Sequence, residues 1–212
     1  MKNILTVSAL TCGLGLFFLA CSNPPKDVEE APSCCSTEEQ LAVAPAALPD
    51  TSLYLLDSKW QDETNSTRTL SDFRGEVVVV AMVFTNCEYA CPRIMVDLQE
   101  IEKQIPADQL GKVRWLLVSM DTDRDTPEVL NAYAKTNELD TKRWTLLHGD
   151  DFAVRGIAAA LGVRYKKDTN GNFAHSNLIT VLDREGQIAH QLVGLGAEPT
   201  PSIEAIKAAC AE

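Results

Sequence analysis

Residues 77–92 read Val77-Val78-Val79-Val80-Ala81-Met82-Val83-Phe84-Thr85-Asn86-Cys87-Glu88-Tyr89-Ala90-Cys91-Pro92, and this stretch decides the fold. An apolar run with four consecutive valines and no polar alternation predicts a strand covered on both faces, over 77–84. Pro92 then occupies the favoured first-turn position of a helix, and Ile94, Leu98, Ile101 and Ile105 follow at helical spacing before Pro106 stops the pattern. A strand opening into a helix places Cys87 and Cys91 at or near the helix N-terminus. Unpaired N–H groups and the helix dipole favour a thiolate there, and a thiolate attacks disulfides and binds soft metals.

Outward from this unit the same alternation continues. Residues 113–120 and 144–147 read as further buried strands. Asp125-Thr126-Pro127-Glu128 is a helix start with Thr126 as cap, and Asp150 or Asp151 caps another helix that runs through Leu161 and closes at Gly162. Residues 176–182 and 187–193 form a hairpin about Asp183-Arg184-Glu185-Gly186, and 203–209 an amphipathic terminal helix. Upstream, 53–56 reads as a short strand, 60–70 as a polar hairpin around Asn65, and 70–75 as a turn. The fold class is α/β: a mixed central sheet flanked by helices, in thioredoxin-like order, with an N-terminal hairpin extension. Fold order alone does not assign function.

The 212 residues are 45% hydrophobic and 23% charged, an ordinary globular composition. The net charge of -11 carries no basic cluster, which argues against nucleic acid as a partner and against electrostatic attraction to anionic lipid. Residues 1–20 read as a lipoprotein signal. Lys2 supplies a positive start, an apolar or small run follows, and Ala20 stands directly before Cys21, the expected lipidation site. An uncleaved anchor is the alternative, but the run is short for a span and contains Thr, Ser and Gly. Either way the body of the protein is expected outside the cytoplasm, in a bacterial cell envelope, facing the periplasm or exterior. Residues 21–51, rich in Pro, Ala, Ser and Glu, are expected to form a flexible linker, and 52–212 the folded domain.

Cysteine usage sharpens the chemistry. With Cys12 in the signal and Cys21 consumed by lipid, Cys34, Cys35, Cys87, Cys91 and Cys210 remain, an odd count that cannot all pair within one molecule. Cys87 and Cys91 are close enough in sequence to close on one ion or one disulfide. His175, in Asn172-Phe173-Ala174-His175-Ser176-Asn177, falls on the polar loop that a thioredoxin-like topology lays against the cysteine helix. Two thiolates and an imidazole suit copper, with zinc as the competitor. A structural disulfide, a metal-independent thiol–disulfide oxidoreductase and a redox sensor are the other readings. Asp121, Asp123 and Asp125 alternate as in calcium loops but lack the glycine and distal glutamate of an EF-hand. Asp121 is instead a candidate for orienting the site or neighbouring backbone, and Asp125 for pairing with Arg124 or capping the next helix. Cys34-Cys35 could capture copper or be incidental, while Cys210, Met82, Met95 and Met120 read as core.

Three motifs in order, Thr85-Asn86-Cys87-Glu88-Tyr89-Ala90-Cys91-Pro92, Val118-Ser119-Met120-Asp121-Thr122-Asp123-Arg124-Asp125-Thr126-Pro127, and His175-Ser176, resemble the signatures of the Sco/SenC family. The resemblance runs from about Leu70 to the C-terminus. It implies a thioredoxin-like fold holding one copper ion, Cu(I) or Cu(II), through Cys87, Cys91 and His175, with Cys87–Cys91 as a redox-active pair that forms a disulfide when oxidised. It also implies help in assembling the dinuclear copper centre of cytochrome c oxidase or a related respiratory copper enzyme, as metallochaperone or thiol reductant. The implied partners are the copper-accepting subunit of that enzyme and a periplasmic thiol reductant or copper donor. The sequence departs from the family pattern at Glu88 and Thr122, where many relatives have proline. Glu88 is expected to disfavour a thiolate and to favour a bound cation.

Overall fold

The computed structural model describes residues 47–211, so the expected signal, the lipidation site Cys21, most of the linker and the Cys34-Cys35 pair lie outside the described residues. A single seven-stranded sheet organises the rest. Its strands are β1 (Trp60–Asp62), β2 (Thr67–Arg68), β3 (Val77–Val83), β4 (Val113–Ser119), β5 (Trp144–Gly149), β8 (Leu178–Leu182) and β9 (Ile188–Val193), and their order across the sheet is β2-β1-β5-β4-β3-β8-β9. β3, β4 and β5 run parallel, and β1, β2, β8 and β9 add antiparallel pairings at the two sides. The sheet is thus mixed, with the expected hairpin β1–β2 extending it at one edge. Helices α1 (Ala90–Lys103), α2 (Pro127–Thr136), α3 (Asp151–Leu161) and α4 (Thr200–Ala211) connect or follow the strands. A separate two-stranded ribbon pairs β6 (Tyr165–Lys167) with β7 (Phe173–His175). No helix among the described residues is long and apolar enough to cross a membrane.

Every residue of β3 is buried, the physical counterpart of its unbroken valine run. Trp115 and Trp144, partners in the register of β4 and β5, stack with ring centroids 5.3 Å apart. Trp60 packs so closely over the end of β5 that a Cβ on Gly149 would fall 2.5 Å from its ring. α3 is bounded as its sequence predicts: Asp150 accepts a hydrogen bond from the Ala153 N–H, and Gly162 closes the helix at a φ of 72°.

Three local expectations are corrected. Residues Leu53–Leu55 form a 3-10 turn instead of a strand, because the Ser52 hydroxyl accepts from the Tyr54 N–H and the Leu53 N–H is taken by the Gly186 carbonyl. α1 begins at Ala90, ahead of Pro92, so Cys91 lies within its first turn. His175 ends a strand of the ribbon and is not part of an open loop: its backbone stands opposite Tyr165 in the β6–β7 register.

The topology dictates where chemistry can gather. β3 and β4 point their C-terminal ends the same way, and antiparallel β8 begins beside the end of β3, with Ile179 opposite Ala81. Segment 84–91, loop 120–126 and the ribbon leading into β8 therefore meet at one end of the sheet, the customary crevice of open α/β folds.

Candidate metal centre

Beyond β3 the chain turns sharply, with the Cys87 N–H bonded to the Phe84 carbonyl at 3.3 Å, and then enters α1. The turn aims the half-buried Cys87 sulfur at the free amides of the helix start: the Cys91 N–H lies 3.3 Å from it. Burial alone would raise the pKa of Cys87. The hydrogen bonds from the Cys91 backbone, then those from Tyr89, the Cys91 side chain and Ala90, outweigh it and hold the thiol below its ordinary value. Glu88 is exposed, and the helix amides set the net direction of the shift. Cys91 is the opposite case. Fully buried under β3, its thiol is pushed well up by desolvation, with only the Phe84 N–H at 3.5 Å working the other way. Tyr133 of α2 is likewise pushed up, by burial and then by the charges of Cys91, Cys87 and Asp125, which places its phenol in the same electrostatic neighbourhood.

From the ribbon, His175 brings its Nε2 to 3.9 Å from the Cys91 sulfur. Its Nδ1 lies 3.0 Å from the Ser176 carbonyl oxygen. A carbonyl can only accept, so Nδ1 donates a proton to it, and this contact turns Nε2 toward the Cys91 sulfur. Phe84 meets the imidazole edge-on at 6.1 Å. The two sulfurs and an imidazole nitrogen all lie within 4.8 Å of one another, and the cysteines are free thiols. Among the described residues this is the one group of three or more His, Cys, Asp or Glu side chains arranged to hold a metal ion. Its donors are soft sulfur and borderline nitrogen, a set matched to copper or zinc and poorly matched to calcium or magnesium.

The three aspartates have separate tasks. Asp125 is completely buried and neither pairs with Arg124 nor caps α2, a correction to expectation. Its carboxylate accepts from the Thr85 N–H at 2.9 Å, the Thr85 hydroxyl at 2.5 Å and the Ser119 hydroxyl at 2.5 Å. It thereby ties the segment leading to Cys87 onto the end of β4. The link spans 40 residues and left no local signature in the sequence. Arg124 bonds to Asp121, which is itself wholly buried, and Lys167 reaches both Asp121 and Asp123. Cys210 is buried within α4 and the methionines Met82, Met95 and Met120 within the core.

Known proteins share this fold. The SCO1/SenC family profile matches residues 56–211. A Bacillus subtilis protein called SCO1 protein homolog is 23% identical over 150 residues, covering 68% of this chain and 76% of that one. The structure of Bradyrhizobium japonicum ScoI with copper bound superposes with a TM-score of 0.58 at 22% identity, over 71% of this chain and 96% of that one. The structure of BsSco, described as containing a disulfide switch and as a member of the Sco family of cytochrome c oxidase assembly proteins, gives a TM-score of 0.63 at 22% identity, over 72% and 91% of the two chains. With its strand–cysteine–helix unit, its ribbon histidine and a profile match that spans nearly all of the described domain, this chain belongs to the SCO1/SenC family.

Proposed function

We propose that this protein takes one copper ion as cargo between Cys87 Sγ, Cys91 Sγ and His175 Nε2, and that it serves the maturation of a respiratory copper centre of the cytochrome c oxidase kind. The observation that carries the reading is the convergence of those three donors within 4.8 Å. Copper held by two thiolates is stabilised as the reduced ion, while the imidazole and an open position accommodate the oxidised one. The chain's own residues divide the work. Cys87, half exposed and biased toward thiolate, is the first donor that an incoming ion meets. Cys91 gives up its proton only when a cation is there to replace it, so loading releases protons. His175 supplies Nε2, which the Nδ1 contact to the Ser176 carbonyl holds toward the sulfur pair.

The same asymmetry supports a second activity, thiol–disulfide exchange. The Cys87 thiolate attacks a client disulfide, one client sulfur leaves as thiolate, and Cys91 then attacks Cys87. The client is released as a dithiol, and a Cys87–Cys91 disulfide remains for an external dithiol to reduce. Exchange does not require the imidazole, which separates the two activities. We place the protein outside the cytoplasm, tethered through lipid on Cys21, a reading supported by Ala20-Cys21 at the end of the apolar leader and by the linker that follows.

Anaerobic titration with Cu(I) and Cu(II), read by thiolate-to-copper charge-transfer absorption, tests the proposal. About one equivalent should bind. Cys87→Ala and Cys91→Ala should abolish the absorption, and His175→Ala should weaken binding while leaving disulfide reductase turnover in place. Tight stoichiometric binding that survives both Cys87→Ala and His175→Ala would falsify the copper assignment.

A further inference from the structure

The ribbon that carries His175 is not part of the main sheet: β6 and β7 pair only with each other. Tyr165 and Phe173 pack it against the core, and two cations tie it to loop 120–126. The Arg124 guanidinium donates to the Gly171 carbonyl at the ribbon's turn and, through Nε, to Asp121. The Lys167 ammonium, on β6, bonds to Asp123 at 2.6 Å and stands 3.5 Å from Asp121 Oδ1, an oxygen that is buried and has no hydrogen bond. The same ammonium lies 5.3 Å from the centre of the Phe173 ring, and Phe173 packs on Phe84 at 5.1 Å, directly beside the histidine. Asp121 is wholly buried, so its charge is tolerable only while these two cations face it.

We propose that Asp121, Arg124 and Lys167 form a clasp that fixes the ribbon against loop 120–126 and so sets the distance between the His175 imidazole and the sulfur pair. These are positioning residues that touch no cargo. The inference rests on the copper reading above and adds the means by which the third donor is held in place. The geometry supports it in three ways. Arg124, from the loop, joins the ribbon's Gly171 carbonyl to Asp121, and Lys167, from the ribbon, faces the same buried carboxylate. Lys167 lies two residues beyond Tyr165, the register partner of His175, on the strand antiparallel to β7. The other attachment near the histidine, the mutual bonding of Arg164 and Ser176, is internal to the ribbon's base and does not reach loop 120–126.

The test is a double-mutant cycle on copper affinity with Lys167→Met, which keeps most of the side-chain volume, and His175→Ala. Lys167→Met alone should weaken copper binding about 10- to 100-fold, in the range seen for outer residues that orient metal ligands. It should also shift the charge-transfer spectrum toward that of His175→Ala. In the His175→Ala background the Lys167 substitution should cost almost nothing more, because the group it positions is gone. Lys167→Arg, which restores the cation, should recover most of the loss. In metal-free Lys167→Met, amide hydrogen exchange should accelerate over 165–175 and stay unchanged over 77–83. Additive losses in the double variant, or an unshifted spectrum with unaltered exchange in the ribbon, overturn the clasp while leaving the copper reading intact. Wild-type protein that takes up no copper overturns both.

Discussion

Asp125 offers the sharpest test of how the cysteine segment is held. Its carboxylate is fully buried and accepts three hydrogen bonds, two from Thr85 and one from Ser119. In Asp125→Ala, the Ser119 hydroxyl, only 1% exposed, and the Thr85 N–H both lose their acceptor, while the half-exposed Thr85 hydroxyl can turn to water. A buried donor left unpaired costs about 1–3 kcal/mol, and relief from burying the charge offsets part of the sum, so a net loss of about 2–4 kcal/mol is expected. Asp125→Asn keeps an oxygen for the Thr85 N–H and can donate its NH2 to a hydroxyl that rotates to accept. Its cost should be only about 1–2 kcal/mol.

Urea unfolding followed by tryptophan fluorescence is a suitable assay, since Trp60, Trp115 and Trp144 are all fully buried and report on the sheet. A domain of this size loses about 2–4 °C of Tm per kcal/mol, so Asp125→Ala should also melt about 10 °C lower. A loss below about 1 kcal/mol for Asp125→Ala would refute the argument, because it would mean that Thr85 and Ser119 find other partners at no cost and that the carboxylate does not hold the segment.

Asp62 gives a pH-dependent prediction. Burial would raise its pKa, but bonds from the Thr64 hydroxyl, the Ser66 N–H, Arg68 and the Thr64 N–H reverse the shift and hold it below the usual range. A lowered carboxyl stabilises the fold above its unfolded pKa and loses that contribution as pH falls through its folded one. Asp62→Asn should therefore cost about 2 kcal/mol at pH 7, and the gap to wild type should narrow below about pH 4 in a pH series of urea melts. In metal-free protein, iodoacetamide at neutral pH should label Cys87 well before Cys91 and Cys210, as read by peptide mass spectrometry, because Cys87 is partly exposed with a lowered pKa and the others are buried with raised ones. Gly149→Ala places a methyl 2.5 Å from the Trp60 ring and should cost about 1–3 kcal/mol in the same urea assay, with a change in Trp60 emission.

The parts of this fold that can be read from sequence are those whose physics is local. β3 is buried throughout and appears as an unbroken apolar run, while β4 and β5 are mostly apolar and buried apart from Arg114 and His148. α3 carries its start and stop in Asp150 and Gly162. Cys87 and Cys91 declare themselves by standing between a buried strand and a proline-marked helix. The parts that resist reading depend on distant partners. β6–β7 is a ribbon outside the main sheet, with Lys166, Lys167, Asp168 and Asn172 exposed, so no apolar alternation marks it. Leu53 and Tyr54 look like a strand because both are apolar, although a serine hydroxyl and a glycine carbonyl far along the chain curl them into a turn. Glu63, a buried carboxylate that accepts the Leu146 N–H, reads as an ordinary hairpin residue. Asp125 precedes a threonine and a proline, which is how a capping residue looks, and only closure of the sheet brings Thr85 to it.

The donors of the metal centre thus come from two supports of different stiffness. The sulfurs ride on the most buried strand and the first turn of a long helix, and a carboxylate within the core pins the segment between them. The imidazole hangs from a ribbon of three-residue strands tied to the body by two partly exposed cations and by Tyr165 and Phe173, which are only partly buried against the core. Local opening free energies follow buried contact density, so the ribbon opens at far lower cost than the strand. Under the proposed cargo role, that division has a physical logic. A site with three rigid donors would bind tightly and release slowly, whereas one in which the third donor can swing away on a weakly fastened ribbon passes through a two-thiolate state open to an incoming ligand. Release is then governed by the ionic ties of the ribbon, and strengthening them should slow transfer more than it tightens binding.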